Sequence, residues 1–236
     1  MVAWRKALAR LTRGRPSDSP VDPVVGEVRR QKLTYLPVGA LNDLFEAAVQ
    51  ADRSRRPGIF IEAGCALGGS AIVLAKAKQP ERPLFVHDVF GMIPPPSDDD
   101  GSEVHARYKT IASGKAKGLG GDLYYGYQEN LRLRVAENFA ECGIDLRKRH
   151  VRLIEGLFQD TLDPAGPVAL AHVDGDWYES VKVCLERIWP ALSPGGVIVV
   201  DDYHDWSGCR KATDEFLAGR RDVRVEHLRR PHLIKV

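Results

Sequence analysis

From residue 58 onward, short apolar runs alternate with amphipathic segments, a rhythm that commits a chain to strands joined by helices. The runs fall at 58–63, 83–89, 150–155, 168–173 and 196–200, and helical patterns begin near Ser70 and near Tyr178. In the second of these helices Val181, Cys184, Leu185 and Ile188 share one face, and Pro190 is expected to stop it. Leu41, Leu44, Phe45 and Ala48 mark an earlier helix. Two last runs, 223–228 and 232–236, are joined by Arg229-Arg230-Pro231 and read as an antiparallel edge. The expected fold class is therefore α/β: a doubly wound, mostly parallel sheet with an antiparallel C-terminal edge hairpin.

A chain of 236 residues with 44% hydrophobic side chains suffices for one such domain and its core. The main domain is expected over 31–236, preceded at 1–30 by a short helix and a linker; the linker is the Pro, Ser, Asp and Gly-rich stretch 13–26. At the start, Trp4, Leu8 and Leu11 recur at helical spacing among basic residues. That stripe suits packing on a neighbour or a second subunit better than a membrane surface, so a homo-oligomer, a dimer, is expected. The 34 basic and 32 acidic residues nearly cancel, which offers no field for nucleic acid and points to a small-molecule partner. Cys65, Cys142, Cys184 and Cys209 form no paired motif, as in a reducing cytoplasm, and no apolar run reaches the roughly 20 residues of a membrane span.

The first strand runs into Glu62-Ala63-Gly64-Cys65-Ala66-Leu67-Gly68-Gly69-Ser70, a turn where glycine lets backbone approach a ligand ahead of a helix. Its spacing is not the G-x-G-x-x-G of a dinucleotide site, and no Lys-Ser or Lys-Thr follows as in a P-loop. A ligand without a pyrophosphate is expected, and S-adenosylmethionine is one. Asp88, at the end of the second strand, stands at about the separation at which an acidic residue meets a ribose. Plain strand-to-helix packing would also account for the glycines.

Two acidic pairs follow buried strands: Asp174 and Asp176 after the fourth, Asp201 and Asp202 after the fifth. Parallel neighbours present their carboxyl ends at one edge, so the four should converge beside the ligand crevice. Crowded carboxylates raise one another's pKa, and a hard divalent cation relieves them; an all-oxygen set favours Mg²⁺. Helix and turn capping is the competing account.

These residues resemble the macrocin O-methyltransferase (TylF) family of class I methyltransferases, which methylate sugar hydroxyls in antibiotic pathways. The resemblance runs from about Thr34 to the C-terminus. It rests on the 62–70 turn, on Asp88-Val-Phe-Gly-Met-Ile-Pro-Pro-Pro96, on His172-Val-Asp-Gly-Asp-Trp-Tyr-Glu-Ser180, and on 194–203 followed by Gly208-Cys209-Arg210. It implies S-adenosylmethionine as cofactor, Mg²⁺ held by Asp174, Asp201 and Asp202, and Asp176 as general base. It also implies cofactor contacts from Thr34, Tyr35, Glu62, Gly64, Gly68, Ser70, Asp88 and Asp174. Related enzymes methylate mycobacterial mannosides or rhamnosides, so a cell-envelope or polysaccharide sugar is an alternative acceptor.

His204, two residues beyond Asp202, is the second candidate base. The irregular stretch 91–128 reads as an insertion that carries a lid or substrate loop, with Tyr124, Tyr125 and Tyr127 closing over the site together with Tyr35, and with His105 and Arg107 facing the acceptor. Two rival readings stand beside this one. Asp174-Gly175-Asp176 is also the D-x-D of metal-dependent glycosyltransferases, and a methyltransferase-like scaffold could bind cofactor without catalysis.

Overall fold

The structure is a computed structural model that describes residues 21–236. The stripe at Trp4, Leu8 and Leu11 lies outside these residues, as does most of the expected linker. Seven strands form one sheet: β1 (Ile59–Ala63), β2 (Leu84–Asp88), β3 (Val151–Glu155), β4 (Val168–Val173), β5 (Leu192–Val200), β6 (Val223–His227) and β7 (Pro231–Lys235). Their order is β3-β2-β1-β4-β5-β7-β6. The first five are parallel, and β7 runs antiparallel to both β5 and β6, as the strand pattern leads one to expect. The chain winds outward from β1 to β3 and then returns to β4 on the other side of β1. The carboxyl ends of β1 and β4 therefore flank the reversal point, where a crevice opens.

Alternation along the strands divides the core into two layers. Phe60, Leu84, Val86 and Leu170 point to one face, covered by α1 (Pro23–Arg30), α2 (Val38–Arg53), α3 (Gly69–Ala77) and, beyond α4 (Ser102–Ala112), α5 (Leu131–Glu141). Ile61, Ala63, Ala171 and Val173 point to the other, covered by the single turn α6 (Phe158–Thr161), α7 (Tyr178–Ala191) and α8 (Ser207–Leu217). With both faces covered, β4 is buried along its whole length, which is why it reads as a continuous apolar run.

Three boundaries differ from expectation. The expected linker at 13–26 overlaps α1 from Pro23 onward: the Asp22 side chain accepts the Val24 N–H, Pro23 starts the helix, and Val24, Val25 and Val28 enter the core. Helix α7 continues through Pro190 to Ala191, where the Leu192 N–H bonds the Trp189 carbonyl in a tightened last turn. The 91–128 insertion is less irregular than its prolines and glycines suggest. It contains α4 and a small core of Ile93, Val104, Ile111, Ala116 and Tyr124 closed by Trp177. Among the described residues, no helix is long and apolar enough to cross a membrane.

Candidate active site

At the end of β1 the chain turns at Gly64 with φ of 90°, and a Cβ there would overlap the Asp174 carbonyl oxygen. Only glycine lets the β1 and β4 termini close together at this point. Asp88 fixes the same turn from β2. Its Oδ2 accepts the backbone N–H groups of Cys65 (2.7 Å) and Ala66 (3.3 Å), and its Oδ1 accepts that of Phe90 (2.7 Å). Burial raises the Asp88 pKa, and these backbone donors oppose the rise.

Glu62 lies behind the turn, fully buried. It is the register partner of His172 on β4, so the two side chains share a face. Its Oε1 accepts the Ser70 hydroxyl, and its Oε2 lies 3.1 Å from His172 Nδ1. Burial pushes His172 down, but the Glu62 charge and hydrogen bond outweigh it and raise the imidazole pKa. Thr34 is also behind the wall, its hydroxyl accepting the Leu36 N–H at 3.1 Å and its side chain against Gly69. Of the expected cofactor set, Tyr35, Gly64, Asp88 and Asp174 line the crevice, whereas Thr34, Glu62, Gly68 and Ser70 do not.

The crevice is a cavity of about 770 Å³. At one side Asp174, Asp201 and Asp202 each offer a carboxylate oxygen, all within 4.8 Å of one another. Burial, and then the neighbouring carboxylates, hold Asp174 and Asp202 well above the usual carboxylate range. Asp176 lines the cavity but is not part of that group of three. Its backbone sits at φ 53° and donates its N–H to Asp202 Oδ2 at 3.0 Å; its Oδ1 accepts the Trp206 indole N–H at 3.0 Å. Burial and then the Asp201 charge push its pKa up to about 7, against the Trp206 hydrogen bond and the Arg107 charge.

His204 is exposed and does not line the cavity; its ring lies edge-on to Tyr203. From the insertion, Ile93, Pro94, Arg107, Tyr124 and Tyr125 line the wall, and Tyr35 meets Tyr125 edge-on at 6.2 Å. His105 is exposed and outside the wall, and the Tyr127 hydroxyl accepts the Ala116 N–H within the insertion's own core. Trp206 and Arg230 are among the wall residues that were not expected. Trp206 precedes α8, and Arg230, in the turn before β7, donates to Asp201 Oδ1 at 2.7 Å and pairs with Asp205 at 2.9 Å.

A sheet ordered β3-β2-β1-β4-β5-β7-β6, with a glycine turn after β1 and an acid closing β2, is the fold of the class I methyltransferases. The macrocin O-methyltransferase (TylF) profile matches residues 30–226, and the chain belongs to that family. It is 33% identical over 166 residues to the 8-demethyl-8-(2,3-dimethoxy-alpha-L-rhamnosyl)-tetracenomycin-C 4'-O-methyltransferase of Streptomyces olivaceus, a match covering 68% of this chain and 58% of that relative's length. It is 30% identical to the demethyldecarbamoylnovobiocin O-methyltransferase of Streptomyces niveus, over 78% of this chain and 68% of the relative. Among solved structures, the O-methyltransferase NovP superposes with a TM-score of 0.66 at 25% identity, covering 89% of this chain and 87% of its own.

Proposed function

We propose that this chain is an S-adenosylmethionine- and Mg²⁺-dependent O-methyltransferase that acts on a sugar hydroxyl. The observation that carries the reading is the meeting of Asp174, Asp201 and Asp202 beside the glycine turn, in one cavity large enough for cofactor and acceptor together. The relatives' names supply the acceptor class: a rhamnosyl tetracenomycin and a novobiocin precursor.

The donor set fits a hard divalent ion. Three carboxylates at this spacing, two of them with strongly raised pKa, are only partly compensated by the Arg230 guanidinium on Asp201 and the His172 ring 4.0 Å from it. Asp174, Asp201 and Asp202 would hold Mg²⁺, which when bound supplies Lewis acidity toward the acceptor hydroxyl. S-adenosylmethionine, when bound, would supply an electrophilic sulfonium methyl for the acceptor oxygen. Gly64 and the Asp88-bound turn would seat that cofactor, with Tyr35 and Tyr125 over it. Asp176 takes the hydroxyl proton: it borders the same cavity and stands outside the ligand group. The remaining contribution is alignment and exclusion of water by the aromatic wall.

The same geometry weighs against a D-x-D glycosyltransferase, because the group of three leaves out Asp176 and draws on the end of β5 instead. The test uses the Streptomyces olivaceus relative's rhamnosyl tetracenomycin and simple rhamnosides as acceptors, with S-adenosylmethionine. Asp174→Ala should abolish methyl transfer while leaving cofactor binding by calorimetry largely intact. Full activity in that variant, or in excess chelator, would sink the metal assignment.

A further inference from the structure

The carboxylate of Asp176 is held from one side only. Its Oδ1 accepts the Trp206 indole N–H at 3.0 Å, and its Oδ2 has no hydrogen-bond partner among the described residues. The backbone is fixed independently, by the N–H bond to Asp202 Oδ2 at 3.0 Å and by the left-handed conformation at φ 53°. With the main chain pinned, χ1 and χ2 still decide which way the carboxylate faces, and the indole is the group that settles them.

Trp206 is braced in turn: its backbone N–H bonds the Asp202 carbonyl at 2.9 Å, and its ring meets Trp177 edge-on at 5.6 Å, where Trp177 is itself anchored by its indole donating to the Pro94 carbonyl at 2.9 Å. A rigid donor so braced can aim a carboxylate, whereas a flexible polar side chain would pay rotamer entropy to do the same. We propose that Trp206 is a positioning residue for methyl transfer: its indole N–H holds Asp176 Oδ1 so that Oδ2 faces the cavity to receive the acceptor's proton. The inference rests on the assignment of Asp176 as base.

Two measurements test it on the full chain. In the first, the Trp206 indole N–H resonance, identified by its loss in Trp206→Phe, is followed by NMR in the absence of acceptor. It should move upfield in Asp176→Asn, where a neutral amide replaces the charged acceptor; an unmoved resonance overturns the contact. In the second, Trp206 is replaced by benzothienylalanine, which keeps the ring shape and substitutes sulfur for the N–H. With Mg²⁺, S-adenosylmethionine and the rhamnosyl tetracenomycin acceptor, the single-turnover rate should fall about tenfold or more while the acceptor KM stays within about twofold.

An unchanged rate, or a raised KM at unchanged rate, overturns the proposal and makes Trp206 an acceptor wall. Asp176→Asn separates the two layers of argument. Loss of activity there with a normal benzothienyl variant defeats the Trp206 role alone, while full activity in Asp176→Asn defeats the base assignment on which it depends.

Discussion

Single residues in this site carry opposing demands of packing and chemistry. Gly64 answers the packing demand, since a side chain there meets the Asp174 carbonyl in a φ region that L residues avoid. Gly64→Ala should lower stability by at least about 2 kcal/mol, read as a shifted urea midpoint at constant m-value. Asp174 shows the reverse balance. Its raised pKa means that the folded chain resists the charge that the unfolded chain accepts freely at neutral pH. Asp174→Asn should therefore raise the melting temperature of the metal-free protein, by about 2–4 °C for each kcal/mol relieved, while abolishing transfer. Added Mg²⁺ should stabilise the wild type and leave the variant unmoved, and equal stabilisation of both would remove Asp174 from the ligand set. Gly64 and the aspartates were legible because their residue types sit at strand ends, where topology alone brings them together. Trp206 and Arg230 reach the site by side-chain direction and hairpin geometry, which no spacing along the chain encodes.

Among the elements, the strands and the helices α2, α3 and α7 could be read from periodicity, because every strand alternates faces or is buried on both, whereas α1, α5, α6 and α8 were not read. The insertion could not be read so well. Its prolines and glycines masked α4, although Val104, Tyr108 and Ile111 recur at helical spacing and two of the three are fully or almost fully buried. Nor did the sequence reveal how the insertion is fastened. Asp100 Oδ1 accepts the Tyr178 N–H at 2.8 Å at the start of α7, its Oδ2 accepts the Ser97 N–H at 2.9 Å, and the Trp177 indole reaches the Pro94 carbonyl. One buried carboxylate thus caps α7 and ties down the loop that walls one side of the cavity. Asp100→Ala should cost about 1–2 kcal/mol as a lost cap. It should also raise the acceptor KM several-fold while cofactor affinity, set by the β1 and β2 ends, changes little. Steady-state kinetics paired with calorimetry would check the split, and a parallel loss of cofactor affinity would mean that the insertion does not act as a separate element.

For the molecule as a whole, the buried histidines set how the fold answers to acid. His87 on β2 and His232 on β7 are both buried, and burial lowers each pKa to about 4 from the ordinary 6.5. The Thr161 hydroxyl lies 3.3 Å from His87 Nδ1, and His232 Nε2 has no hydrogen-bond partner among the described residues, so burial outweighs the Asp43 and Glu226 charges that favour its proton. A histidine whose folded pKa is depressed leaves stability intact above pH 6.5 and removes it as pH falls toward 4, because the unfolded chain binds the proton first. His172 acts in the opposite sense. Its raised pKa adds stability that is complete below 6.5 and fades as pH rises through the folded value, so the Glu62 pair partly offsets the acid loss. The two effects separate in a difference measurement. Urea unfolding of the wild type and of a His87→Gln, His232→Gln variant, taken from pH 7.5 to 4, should give a stability gap that drifts in the variant's favour as the pH drops below 6.5. The drift should approach about 3 kcal/mol for each histidine by pH 4, since two and a half pKa units correspond to roughly that energy. A gap that stays constant across the range would mean that these imidazoles take up protons in the folded protein as readily as in the unfolded chain.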